Sequence, residues 1–209
     1  MTRVKVCGIT NLGDALAALD AGADMLGFNF YARSPRYLTA DVARSVIEQL
    51  PQGVDCVGVF VNESAPAEVE RIARAAGLGA VQLHGDESPE YCQSLRGLLT
   101  IKALRVGADY HVETAAAFDT DAVLLDAYVR GERGGTGHTF DWALATLTRE
   151  RVRKLFLAGG LTPDNVAAAV DAVRPYAVDV CSGVETSPGR KSPELMRRFV
   201  KAVVSSSRQ

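Results

Sequence analysis

The sequence predicts an α/β fold, a single (β/α)8 TIM barrel, and three observations carry the prediction. Short apolar, β-branched runs alternate with alanine-rich helical stretches from end to end. Eight such runs occur, with no break in composition between them. The turn after the first run, Cys7-Gly8-Ile9-Thr10-Asn11, lacks the Gly-x-Gly-x-x-Gly pattern that usually opens a doubly wound open sheet. Strict alternation implies parallel strands joined by right-handed crossovers, and eight of them favour closure. The 209 residues suffice for a compact barrel read as one domain over 1–209, with a core that needs no disulfide or metal.

The predicted strands are 4–7, 25–30, 56–61, 80–84, 100–104, 122–126, 154–158 and 177–181. Apolar residues at i, i+3 and i+4 predict helices between them, for example at 12–21, 40–50 and 66–76. Thr162-Pro163 and Ser88-Pro89 each offer an N-cap followed by proline in the first turn. Gly22 and Gly77 are expected just past helix C-termini.

Net charge is −2, without a clustered basic face, so neither a nucleic acid nor an anionic membrane is an expected partner. No apolar run approaches the ~20 residues of a membrane span, and the N-terminus does not read as a signal peptide. A cytoplasmic location is expected. The four cysteines are scattered without metal-ligand spacing, so no metal site or disulfide framework is expected.

In a barrel of this kind, chemistry sits where strands end and the following loops begin. Those ends read Cys7, Phe30, Asn62, His84, Arg105, Asp126, Gly159-Gly160 and Ser182-Gly183. The last two pairs combine glycines, which let backbone N–H groups approach an anion, with helix starts that favour negative charge. They predict a phosphate site, where a side chain at Gly183 would crowd the anion. Asp126 ends an apolar run, where an unpaired charge is costly to bury. Cys7 is read either as its acid–base partner or as a core filler. Arg36, in the loop after the second strand, has a guanidinium suited to a carboxylate, or is simply solvated. His84 is either a site group or a satisfied core histidine. The glycine-rich stretch 131–137 is expected to be a lid or a ligand-contacting loop.

Taken together, VKVCGIT at 4–10, GADMLGFNFYARSPRYL at 22–38, VGVFVN at 57–62, AVQLHGDE at 80–87, LLDAY at 124–128, GGTGHTFDW at 134–142, LAGGLTPDNV at 157–166 and VDVCSGVETSPGRKS at 178–192 resemble the phosphoribosylanthranilate isomerase family of tryptophan biosynthesis. The segments span nearly the whole chain in the family's order. The resemblance implies an Amadori rearrangement of N-(5-phosphoribosyl)anthranilate to 1-(2-carboxyphenylamino)-1-deoxy-D-ribulose 5-phosphate. It implies Cys7 as general base, Asp126 as general acid, Arg36 against the anthranilate, and backbone near Gly137, Gly159, Gly160, Ser182 and Gly183 around the phosphate. No metal or organic cofactor is implied, and the oligomeric state is left open. Cys181 stands where the family usually has serine, and Ser192 also departs from its pattern. The rival readings are another phosphosugar isomerase or epimerase, and a non-catalytic phospholigand-binding barrel. An indole-forming synthase would want catalytic lysines, but Lys5 and Lys102 fall early in their strands.

Period-two alternation adds an expectation of its own. If Cys7 and Cys181 both face inward, then so do Lys5 and Asp179, on strands that become neighbours when the barrel closes. A direct or water-bridged Lys5–Asp179 contact is expected, because buried charges are tolerated only in pairs. The two cysteines are expected side by side on adjacent strand ends.

Overall fold

The computed structural model describes residues 1–95, 97–127 and 142–206. Its eight parallel strands are β1 (Arg3–Val6), β2 (Met25–Asn29), β3 (Asp55–Phe60), β4 (Ala80–Leu83), β5 (Leu99–Val106), β6 (Ala122–Ala127), β7 (Leu155–Ala158) and β8 (Ala177–Val180). They hydrogen-bond in sequence order, and β8 pairs back onto β1, closing the barrel. Helices α1 (Leu12–Asp20), α2 (Ala40–Ile47), α3 (Pro66–Ala76), α4 (Pro89–Ser94), α5 (Val112–Ala116), α6 (Trp142–Arg149) and α7 (Val166–Val173) fill the crossovers, and α8 (Pro193–Ser206) follows the last strand. A short hairpin, β9 (Glu185–Ser187) and β10 (Arg190–Lys191), lies between β8 and α8.

Local chemistry sets the helix ends. The side chains of Asn11, Thr39 and Ser88 accept from the first-turn N–H groups of α1, α2 and α4. Gly77 ends α3 at φ 76°, a left-handed conformation that costs glycine little. Ser192 caps α8 by accepting from the Leu195 N–H. The predicted start at Thr162-Pro163 is corrected, for α7 begins only at Val166. Asn165 Oδ1 accepts from the Thr162 N–H at 2.8 Å, and this side-chain turn consumes the first residues that a helix would have used.

Alternation divides the core in two. Val4, Val6, Leu26, Phe28, Val81 and Leu83 belong to the apolar cluster that includes the buried helix faces. Met25, Val57, Ile101, Leu124 and Phe156 form a second cluster inside the barrel. Above it the interior turns polar, with Lys5, Gln82 and Asp179 all buried. That change of polarity marks the end of the barrel where the site is built.

Candidate active site

The strand ends open onto one cavity of about 330 Å³. Cys7 and Cys181 line it from β1 and β8, where the register pairs Val6 with Val180 one residue earlier. His84 and Asp126 line it from β4 and β6, and Arg36 from the loop after β2. Gly159, Gly160, Ser182 and Gly183 complete the wall at β7 and β8. Every site residue expected from the sequence is therefore gathered in one place except Gly137. That residue, like the whole stretch 131–137, lies outside the described residues.

The lower layer of the cavity is charged. Lys5 Nζ donates to Asp179 Oδ1 at 3.0 Å and to Gln82 Oε1 at 2.9 Å. The expected Lys5–Asp179 pair is thus direct. Burial opposes the Lys5 charge, yet Asp179 and Cys7 together hold its ammonium above the ordinary lysine value. Burial pushes Asp179 up to about 6 against the pull of Lys5, which leaves a carboxylate at neutral pH.

The Cys7 thiol is held well below its ordinary range. A hydrogen bond from Cys181 contributes most; burial opposes it, and the charges of Lys5 and Lys191 add to it. Cys181 is correspondingly pushed up by the same hydrogen bond and by burial. Each thiol has a buried ammonium near it: Lys5 acts on Cys7, and Lys191 Nζ lies 3.7 Å from Cys181 Sγ. Cys7 lines the cavity with its thiol pushed down by these neighbours, an environment that suits a reactive thiol better than a core filler.

His84 lies between the two alternatives the sequence left open. Its Nε2 is 3.1 Å from Asp126 Oδ2 and its Nδ1 is 2.8 Å from Gln82 Nε2. The His84 and Asp126 side chains are 24% and 30% exposed, so both reach the cavity rather than the core. The loop behind His84 is pinned from below. Lys102 Nζ donates to Glu87 Oε2 at 2.6 Å and to the Gly85 carbonyl at 2.7 Å, while Glu87 accepts from the Asn62 N–H at 2.8 Å. Lys102 alternates with inward Ile101 and Ala103, which places it away from the cavity.

Arg36 is not an open guanidinium. It engages Glu185 through Nε to Oε1 at 2.8 Å and through Nη2 to Oε2 at 2.5 Å. A half-buried cation needs a partner, and β9 supplies one. Lys191 from β10 reaches the same carboxylate at 2.9 Å. This contact uses Nε and Nη2 and not Nη1, so a donor remains for a bound carboxylate.

The phosphate-end glycines have distinct reasons to be glycine. Gly159 and Gly160 take φ of 86° and 63°, which places both in the left-handed region. At Gly183 a Cβ would sit 2.0 Å from the Leu161 carbonyl oxygen. The expectation that a side chain there would chiefly crowd an anion is corrected: it would first drive apart the loops after β7 and β8. Sequence reasoning also missed Gly27, whose added Cβ would meet Cys7 Sγ at 2.7 Å, and it missed Gln82, Glu185 and Lys191. Gln82 could have been found, since it precedes His84 by two residues on the same strand face.

Among the described residues, no helix is long and apolar enough to cross a membrane. No group of three or more His, Cys, Asp or Glu among them is arranged to hold a metal ion.

A closed (β/α)8 barrel whose strand ends bring a thiol, an imidazole and a carboxyl group to one polar cavity defines the class of barrel enzymes. Its relatives narrow the class. The family model for N-(5'-phosphoribosyl)anthranilate (PRA) isomerase matches residues 4–202. An N-(5'-phosphoribosyl)anthranilate isomerase of Citrifermentans bemidjiense is 52% identical over 200 residues, covering 96% of each chain. The crystal structure of the Thermotoga maritima enzyme superposes with a TM-score of 0.91 at 45% identity, covering 98% of this chain and all of that one. Another structure of the isomerase, in complex with reduced 1-(o-carboxyphenylamino)-1-deoxyribulose 5-phosphate, gives 0.87 at 44% identity with the same coverage. The chain belongs to the phosphoribosylanthranilate isomerase family.

Proposed function

We propose that this chain converts N-(5'-phosphoribosyl)anthranilate to 1-(2-carboxyphenylamino)-1-deoxyribulose 5-phosphate, with Cys7 as general base and Asp126 as general acid. The observation that carries the reading is the single cavity into which Cys7, Asp126, Arg36 and the glycines after β7 and β8 all converge.

In this reading the phosphate is held by backbone N–H groups near Gly159, Gly160, Ser182 and Gly183, and the anthranilate carboxylate faces Arg36. Asp126 delivers a proton to the ring oxygen as the anthranilate nitrogen pushes the furanose open to an iminium. The iminium acidifies the C2 proton, which the Cys7 thiolate removes to give an enol-amine. Movement of a proton from the C2 hydroxyl to C1 completes the ketone, and exchange with water resets the pair. A depressed thiol supports the base role, because an ordinary thiol of pKa ~8.5 is only a few per cent ionised at neutral pH. The four free cysteines suit a reducing compartment, and we place the enzyme in the cytoplasm.

The test is turnover of freshly generated phosphoribosylanthranilate, followed by loss of its fluorescence in a coupled assay. Consumption at a rate proportional to enzyme, abolished in Cys7→Ala, is expected. A rate no higher than that of buffer would sink the reading.

A further inference from the structure

Lys5, Gln82 and Asp179 are buried beneath the proposed acid and base, and the steps above do not use Gln82. The contacts of Gln82 have a direction. An ammonium carries donors only, so the amide must turn its oxygen toward Lys5 Nζ, 2.9 Å away. The reverse orientation would set two donors against each other inside a closed barrel, where neither finds water. The Gln82 amino group then faces His84 Nδ1 at 2.8 Å. A nitrogen that accepts this bond must carry a lone pair. Neutral imidazole has one N–H, which therefore sits on Nε2, the nitrogen 3.1 Å from Asp126 Oδ2.

We propose that Gln82 is a positioning residue: oriented by Lys5, it holds His84 in its Nε2–H tautomer, which donates to Asp126 Oδ2 and leaves the transferable proton to Oδ1. The inference rests on the assignment of Asp126 as the acid. A proton on Oδ2 would confront the His84 N–H, whereas Oδ1 has no hydrogen-bond partner among the described residues. One unbroken set of contacts thus runs from Lys5, the lysine beneath the base, through Gln82 and His84 to the acid. It presents each reacting group to the substrate from a fixed side.

The chain has three histidines, so long-range ¹H–¹⁵N correlation on histidine-labelled enzyme can read the His84 tautomer directly, with His84→Gln identifying the signals. The expected wild-type pattern is a bare Nδ1 and a protonated Nε2. Gln82→Glu keeps the size and the acceptor for Lys5 but replaces the amino group with an oxygen that attracts a proton to Nδ1. This variant should show Nδ1 protonated and a kcat reduced by ~10²-fold with little change in KM, the loss that follows when a reacting group is misplaced. A purely structural role would lower stability and leave the imidazole protons where they were.

An Nδ1–H tautomer in a wild-type enzyme that turns over substrate overturns the positioning and leaves the isomerase reading intact. Wild-type kcat in a folded Gln82→Glu with a shifted tautomer overturns it as well. Absence of turnover by the wild type overturns both. The tautomer is read on the wild type, so a Gln82→Glu chain that does not fold leaves that test standing.

Discussion

Cys7 is an ordinary residue type made unusual by its neighbours. Replacing Cys7 with serine substitutes a hydroxyl that does not ionise in the working range, so kcat should fall ~10²–10⁴-fold with KM little changed. Asp126→Asn removes the proton to be transferred and should cost a comparable factor. The pH profile of kcat/KM should be set on its acid side by the coupled thiols Cys7 and Cys181. Activity within about threefold of wild type in either steady-state assay would reject that residue's role. The depressed Cys7 thiol gives this profile a sign. The base form exists above the folded pKa, so activity is lost as pH falls through it. Cys181→Ala removes the largest cause of that depression and should move the acid limb upward, toward the ordinary thiol value. An unmoved limb in kcat/KM against pH would mean that Cys181 does not tune the base. Of these residues, the sequence displayed Cys7 and Asp126 as strand-end groups. It did not display the depression, which comes from residues 5, 181 and 191 and depends on through-space distance.

At the scale of elements, strand alternation was readable because its period is two and one face of each strand is apolar. The strand bounds found here lie within two residues of those expected. The start of α7 was misread because Thr162 and Pro163 carry a legitimate cap signature, and only the reach of Asn165 back to Thr162 decides against it. Strand β2 illustrates a requirement that pattern alone could not reveal. Met25 pairs with Lys5 and Leu26 with Val6, which sets Gly27 beside Cys7. An added methyl would fall 2.7 Å from the sulfur and 3.0 Å from the Cys7 Cα, so the thiol must move. Gly27→Ala is therefore expected to fold and to lose kcat by ~10²-fold, the cost of roughly 1 Å of misplacement. Wild-type kcat, measured alongside a melting curve, would show that the thiol tolerates the shift.

At the scale of the whole molecule, closure of β8 onto β1 creates two pairs that are 174 residues apart in the chain. The first is Lys5 with Asp179. Lys5→Met strands a buried carboxylate and should destabilise by ~3–5 kcal/mol at about pH 8 in urea unfolding. The sign follows from Asp179, whose folded pKa of about 6 exceeds the unfolded ~3.9. Its contribution to stability is fully present below about 4 and is lost as pH rises through about 6. Without Lys5 the folded pKa climbs further. The penalty should therefore shrink at about pH 5, where the carboxyl is protonated and needs no cation. A penalty independent of pH would contradict the pairing. The second pair is Cys7 with Cys181. Adjacent parallel strands lie ~4.8 Å apart, which falls within the span a disulfide bridges. With peroxide, the Cys7 thiolate should attack an oxygen, forming a sulfenic acid and releasing hydroxide. The Cys181 thiol should then attack that sulfur, closing the disulfide and releasing water. Activity should be lost and then restored by a dithiol, and peptide mapping should find the cross-link in the wild type but not in Cys181→Ser. Oxidative loss without a Cys7–Cys181 peptide would refute the idea.

The sequence by itself determined the barrel, the strand ends that line its cavity and the family to which the chain belongs. Each of these is written locally, in period-two alternation, in cap residues and in short ordered motifs. Tertiary structure alone decided which groups touch: that Arg36 is held by Glu185, that Gln82 lies between Lys5 and His84, and that Gly183 is glycine because the Leu161 carbonyl presses on it. Closure of the barrel brings together strand ends far apart in the chain. In a buried, low-dielectric interior, a few ångströms between such groups settle which proton is held and which is released.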